Sequence, residues 1–149
     1  WTPDRIRIRY INRSSADRIW DFSLYKQGRE LVHGGLGPDT GTLLWYAIDV
    51  PRTGRQESPS VSKDSAQVAA VSEIHERNSG VSVDLVEARY DELGMPGSRI
   101  AGVYVFLYHA NGESPALCGN DGFTVIVDSV SGKVIEYRLT GRDPADRGC

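Results

Sequence analysis

From Arg5 to Tyr10 basic and apolar residues alternate strictly, with Arg5, Arg7 and Arg9 on one phase and Ile6, Ile8 and Tyr10 on the other. A period of two sends successive side chains to opposite sides of a strand, so this stretch predicts a β-strand with one basic and one apolar face. In "RIWDFSLYKQGRELVHGG" two apolar stretches flank Lys26-Gln27-Gly28-Arg29, the pattern of a hairpin. "HGGLGPDTG" then reads as a glycine-rich connection, and "TLLWYAIDV" as a strand apolar enough to be covered on both faces.

Residues 51–60, "PRTGRQESPS", have the composition of a linker or crossing loop and mark the best candidate boundary. They divide a β-rich N-terminal segment (1–50) from a helix-and-sheet unit with a C-terminal tail (61–149). The helix is predicted within "VSKDSAQVAAVSEIHERNSG". Ser62 can cap it, Asp64 complements the positive end of its dipole, and Asn78 to Gly80 supply the stop. Val68, Val71 and Ile74, with Ala70 beside them, recur at helical spacing and form the expected buried stripe.

Four strands follow in the pattern, at 81–90, 99–109, 122–128 and 133–139. Val81, Val83 and Leu85 alternate on one phase and Val86, Ala88 and Tyr90 on the other, a slip that predicts a bulge. "FTVIVDSVSGKVIEY" reads as two strands turning at Ser131-Gly132, with Phe123, Val125 and Val127 on one face. The fold class expected is α+β: one main helix on a curled antiparallel sheet, which this last hairpin closes, preceded by the β-rich segment.

Three stretches carry a family resemblance: "SKDSAQVAAV" opening the helix, "GVYVFLYH" in the central strand, and the closing "FTVIVDSVSGKVIEY". From residue 62 to 139 the chain resembles the PepSY domain family. That resemblance implies a cystatin-like grip of helix on sheet, an exported or envelope setting, and a role in inhibiting or regulating peptidases or in sensing outside the cytoplasm. It carries no catalytic residue set. The insertion "HANGESPALCGNDG" and the first 50 residues depart from the family pattern.

Charge narrows the partners. A formal net charge of -3 argues against general nucleic-acid binding, which needs a surplus of clustered Lys and Arg. The Arg5, Arg7, Arg9 row reads as the solvated face of an edge strand, with a docking stripe for an acidic partner as the alternative. No apolar run reaches the roughly 18 residues of a membrane-spanning helix. The chain opens at Trp1 without a signal-like segment, as a mature or otherwise trimmed protein would. Cys118 and Cys149 lack redox or zinc spacing. Paired, they would pin a polar tail to a loop, adding on the order of 3–4 kcal/mol and favouring an extracytoplasmic compartment; two cytosolic thiols are the other reading.

Candidate chemistry is sparse. No H-x-x-x-H, H-E-x-x-H or calcium loop appears, so neither metal nor cofactor is expected. "GGLGPDTG" lacks the Lys-Ser/Thr ending of a phosphate loop. His75 sits at the margin of the helix stripe, where a ring packs and keeps one nitrogen in water, and His109 ends the central strand, where a base could face a cleft between sheet and helix. The function expected is non-enzymatic binding of another protein, with self-association possible. The contact residues expected lie in two connections: His33, Leu36, Pro38 and Asp39 in the first, and Asn111, Glu113, Leu117 and Asn120 in the second. The alternatives are a subunit of an extracellular assembly and a small secreted hydrolase, such as a ribonuclease, using His75 or His109.

Overall fold

A computed structural model describes residues 1–12, 18–38, 41–50, 58–93, 100–111 and 122–140. Of these residues 62% are strand and 14% helix. The strands are β1 (Arg5–Asn12), β2 (Arg18–Lys26), β3 (Arg29–Leu36), β4 (Leu43–Ile48), β5 (Ser82–Leu93), β6 (Ile100–Asn111), β7 (Gly122–Asp128) and β8 (Val134–Thr140), with α1 (Lys63–Arg77) between β4 and β5. They form one eight-stranded sheet in the order β1-β2-β3-β4-β8-β7-β6-β5, antiparallel throughout.

This overturns the expected α+β class. The N-terminal segment does not merely precede a helix-and-sheet unit; its strands continue the same sheet, and the helix is one short element on it. The seam is β4 against β8, where Trp45, Tyr46 and Ala47 pair with Arg138, Tyr137 and Glu136. That pairing joins residues remote in sequence, and nothing local to either strand announces it. The closing hairpin β7–β8 accordingly lies in mid-sheet, and the edges are β1 and β5.

Local expectations fare better. Gln27 and Gly28 take φ of 51° and 76°, the left-handed pair that a two-residue hairpin loop requires. The phase slip in β5 is a register shift between Leu85 and Glu87. "HGG" is strand rather than connection, for a steric reason. Gly34 lies under the Phe22 ring and against the Trp45 carbonyl, where an added Cβ would sit 2.4 and 2.6 Å away, so only glycine lets β2, β3 and β4 close there.

Helix α1 starts where its cap dictates: the Ser62 side chain accepts from the Ser65 N–H at 3.2 Å. Its entry is fixed to the β7–β8 turn, since the N–H groups of Ser60 and Val61 both donate to the Ser129 carbonyl. The helix packs on β6, β7 and β8 through Ala66, Ala70 and Ile74, all fully buried, against Phe106, Phe123, Val125 and Tyr137. Small residues four apart let the helix approach the aromatic floor closely. Val68, expected in the stripe, instead faces solvent at 68% exposure.

The strand order also reads as two four-stranded meanders joined about a local two-fold axis. On the seam Tyr46 and Tyr137 face one another, rings 6.0 Å apart and nearly parallel. Moving outwards, Gly34 and Phe22 lie beside Tyr46 just as Val125 and Phe106 lie beside Tyr137. The β3–β4 and β7–β8 turns are hydrogen-bonded alike. Gly37 N–H donates to the Thr42 carbonyl and Gly41 N–H to that of Gly37, while Asp128 N–H donates to Lys133 and Gly132 N–H to Asp128. Gly41 and Gly132 share the left-handed conformation, with φ of 66° and 72°. Matching register shifts precede both turns, at Gly35/Leu36 and Ile126/Val127. Even the outer aromatic pairs correspond: Tyr10 with Trp20 at 4.9 Å, and Tyr90 with Tyr104 at 5.3 Å.

Candidate functional site

The two halves differ in what covers them, and the difference lies on the face that carries α1. Strand alternation and register put Ile6, Ile8 and Tyr10 of β1, Trp20, Phe22 and Leu24 of β2, and Val32 of β3 on that face. In the other half the matching Tyr104, Phe106 and Tyr108 are buried beneath or beside α1. In the first half no helix lies over these strands among the described residues. Ile6, Ile8, Tyr10 and Trp20 are left 59%, 62%, 42% and 40% exposed. A contiguous apolar patch on paired strands is the usual mark of a docking surface.

The reverse face of the same half is polar and knitted together. Asp21 is buried, and its carboxylate meets His33 Nε2 at 2.6 Å and Arg9 at 3.4 Å. The other ring nitrogen of His33 lies 3.7 Å from Glu30, which accepts from the Tyr25 hydroxyl at 3.0 Å and faces Arg7 at 4.0 Å. Arg7 also donates to the buried Ser23 hydroxyl at 3.3 Å. Trp45 stands edge-on to the His33 ring, and Arg138 covers Trp45 from across the seam. Both nitrogens of His33 therefore face carboxylates. The arrangement suits satisfying a buried Asp21.

The expected contact residues are not gathered into one surface. His33 and Leu36 both lie in β3 but on opposite faces, His33 in the charge network and Leu36 beside Trp20 on the apolar face. Pro38 is in the β3–β4 turn. Asn111 ends β6, separated from β3 by the three strands β4, β8 and β7, and its amide donates to the Asp84 carboxylate. Asp39, Glu113, Leu117, Asn120, Cys118 and Cys149 lie outside the described residues. The histidines of the hydrolase alternative are not brought together either. His75 is exposed on α1, whereas His109 is exposed on the opposite face of the sheet, between the inward-facing Tyr108 and Ala110. It therefore faces no cleft between helix and sheet. Among the described residues no group of three His, Cys, Asp or Glu side chains could hold a metal ion, and no helix is long and apolar enough to cross a membrane.

The apolar patch itself was missed by sequence reasoning, which assigned Ile6, Ile8 and Tyr10 an apolar face without assigning that face a contact. A signal was present: a single predicted helix cannot cover the apolar faces of this many strands.

Three comparisons bear on the class of protein. No family model matches the sequence, and no curated protein matches it. Among solved structures the fold is similar to the Bacillus megaterium YpeB C-terminal domain, with a TM-score of 0.64 at 15% identity. That domain comes from a PepSY-containing family. The match covers 90% of this chain but 54% of the other, so the chain spans about half the length of that structure. At this identity the likeness is one of fold.

Proposed function

We propose that this chain is a PepSY-like regulatory module that acts by binding another protein, outside the cytoplasm, through the bare apolar half of its helix-bearing face. The observation carrying this reading is the patch of Ile6, Ile8, Tyr10 and Trp20, held on hydrogen-bonded strands and open to solvent. The fold likeness to the YpeB C-terminal domain supports a regulatory rather than a catalytic role. So does the Asp21–His33 pair, whose polar groups satisfy one another instead of converging on a cleft.

A photoreactive amino acid placed at position 8 should join one defined protein in the native extract, whereas the same group at Glu87, exposed on the edge strand β5, should not. No adduct at position 8, or the same adducts at both positions, would sink the reading. The extracytoplasmic setting rests on the PepSY resemblance together with pairing of Cys118 with Cys149. Peptide mapping of the unreduced protein should recover the two joined, and recovering two free thiols would remove that setting from the proposal.

A further inference from the structure

The internal two-fold says what shape the partner takes. Each meander repeats the same turn, the same register shift before it and a matching aromatic pair, yet among the described residues only one carries a helix. Resting on the reading above, we infer that this half binds an amphipathic α-helix of another polypeptide, laid over β2 to β4 with the apolar residues of β1 at its outer margin, and antiparallel to α1. A rotation about the sheet normal reverses in-plane directions, which sets that polarity.

The details of α1 define the chemistry of the occupant. On α1 the packed stripe is Ala66, Ala70 and Ile74, so the docked helix presents small and aliphatic residues four apart. Trp20, Phe22 and Val32 would form its floor and Ile8 its outer margin, with Phe22 lying over Gly34 where Val125 fills the equivalent place beneath α1. The Tyr104 hydroxyl donates at 2.8 Å to the Val61 carbonyl at the start of α1. Trp20, its counterpart, offers an indole N–H for the same carbonyl of the docked helix. Beside it on the same face is Arg18, whose Nε is buried without a hydrogen-bond partner among the described residues. An acidic side chain in the first turn of the incoming helix, the place Asp64 occupies in α1, complements that charge. A second copy cannot supply its own α1 without unfolding, because that helix already spends its apolar stripe on Phe106 and Val125.

The probe is a synthetic peptide of the Ser62–Arg77 sequence, titrated into the whole chain by calorimetry with its helicity followed by circular dichroism. Saturable one-to-one binding with a gain of helix is expected. Ile8→Asp should weaken it at least about tenfold without changing the melting temperature, since the side chain is exposed. A peptide with Asp64→Lys should bind less tightly, and Arg18→Glu should restore it. Absence of saturation would overturn the inference. So would binding indifferent to Ile8→Asp, as displacement of α1 would give, or dimerisation in sedimentation that Ile8→Asp abolishes, which would assign the face to a second copy. An adduct at position 8 to a non-helical segment would defeat this inference and leave the proposed function standing.

Discussion

Ile74→Ala should cost about 3 kcal/mol of stability, measured as a lower midpoint in denaturant with an unchanged slope. Ile74 is the fully buried anchor of α1 and the largest side chain of its packed stripe. Truncation leaves a void against an aromatic floor that cannot collapse, because the rings of Phe106, Phe123 and Tyr137 are fixed by two flanking strands each. Loss is amplified at the helix end. The Asn78 carboxamide bridges the Ile74 carbonyl and the Tyr137 hydroxyl, at 3.1 and 3.0 Å, so a shift of Ile74 disturbs the cap as well. Val68→Ala on the outer surface of the same helix should change stability by less than about 0.5 kcal/mol. Equal losses at the two positions would mean that α1 is not seated as described.

Alkaline pH should unfold the protein in a tyrosine-dependent way. Burial pushes the Tyr108 hydroxyl up to about 12, and that hydroxyl has no hydrogen-bond partner among the described residues. Tyr46 and Tyr137 are raised as well, chiefly by burial; at Tyr46 the hydrogen bond to Glu73 acts in the same direction. In each case the folded value lies above the unfolded one, so the stabilisation is complete below pH of about 10 and declines as pH climbs towards the folded value. For Tyr108 that window is about 10 to 12, and its share is about 2–3 kcal/mol. Tyr108→Phe should remove this share of the pH dependence. At neutral pH it should gain about 1 kcal/mol by deleting a buried unsatisfied hydroxyl. Melting temperatures of both forms across pH 8 to 12, spanning the ordinary tyrosine value of about 10, give the comparison. Parallel curves would place the tyrosine hydroxyls in water.

Much of this architecture was legible locally, and what was not has a common cause. Ser62, Asp64 and the Asn78 stop located α1, and the phase slip located the β5 bulge, because caps and alternation are properties of neighbours in sequence. The β4–β8 seam depends on pairing Tyr46 with Tyr137, and the glycines at 34 and 35 hid a strand. A glycine signals close approach only once the approaching group, here the Phe22 ring, is known. The helix stripe was half right for a related reason. Hydrophobicity favoured Val68, whereas packing on large rings selected Ala66 alongside the expected Ala70 and Ile74. The candidate surface was visible only as an unbalanced count of one helix against many apolar strand faces. Its location required knowing which half α1 covers.

The meanders hold together through the short run from Trp45 to Ala47 against Glu136 to Arg138 and through α1, whose Glu73 accepts from the Tyr46 hydroxyl at 2.8 Å, while the pairings within each meander are longer. Under tension applied across the strands, this short pairing with its helix clasp is expected to part before the longer pairings of either unit. A guest lying on the uncovered side next to Tyr46 would act as a splint, turning two weakly yoked pieces into one rigid plate.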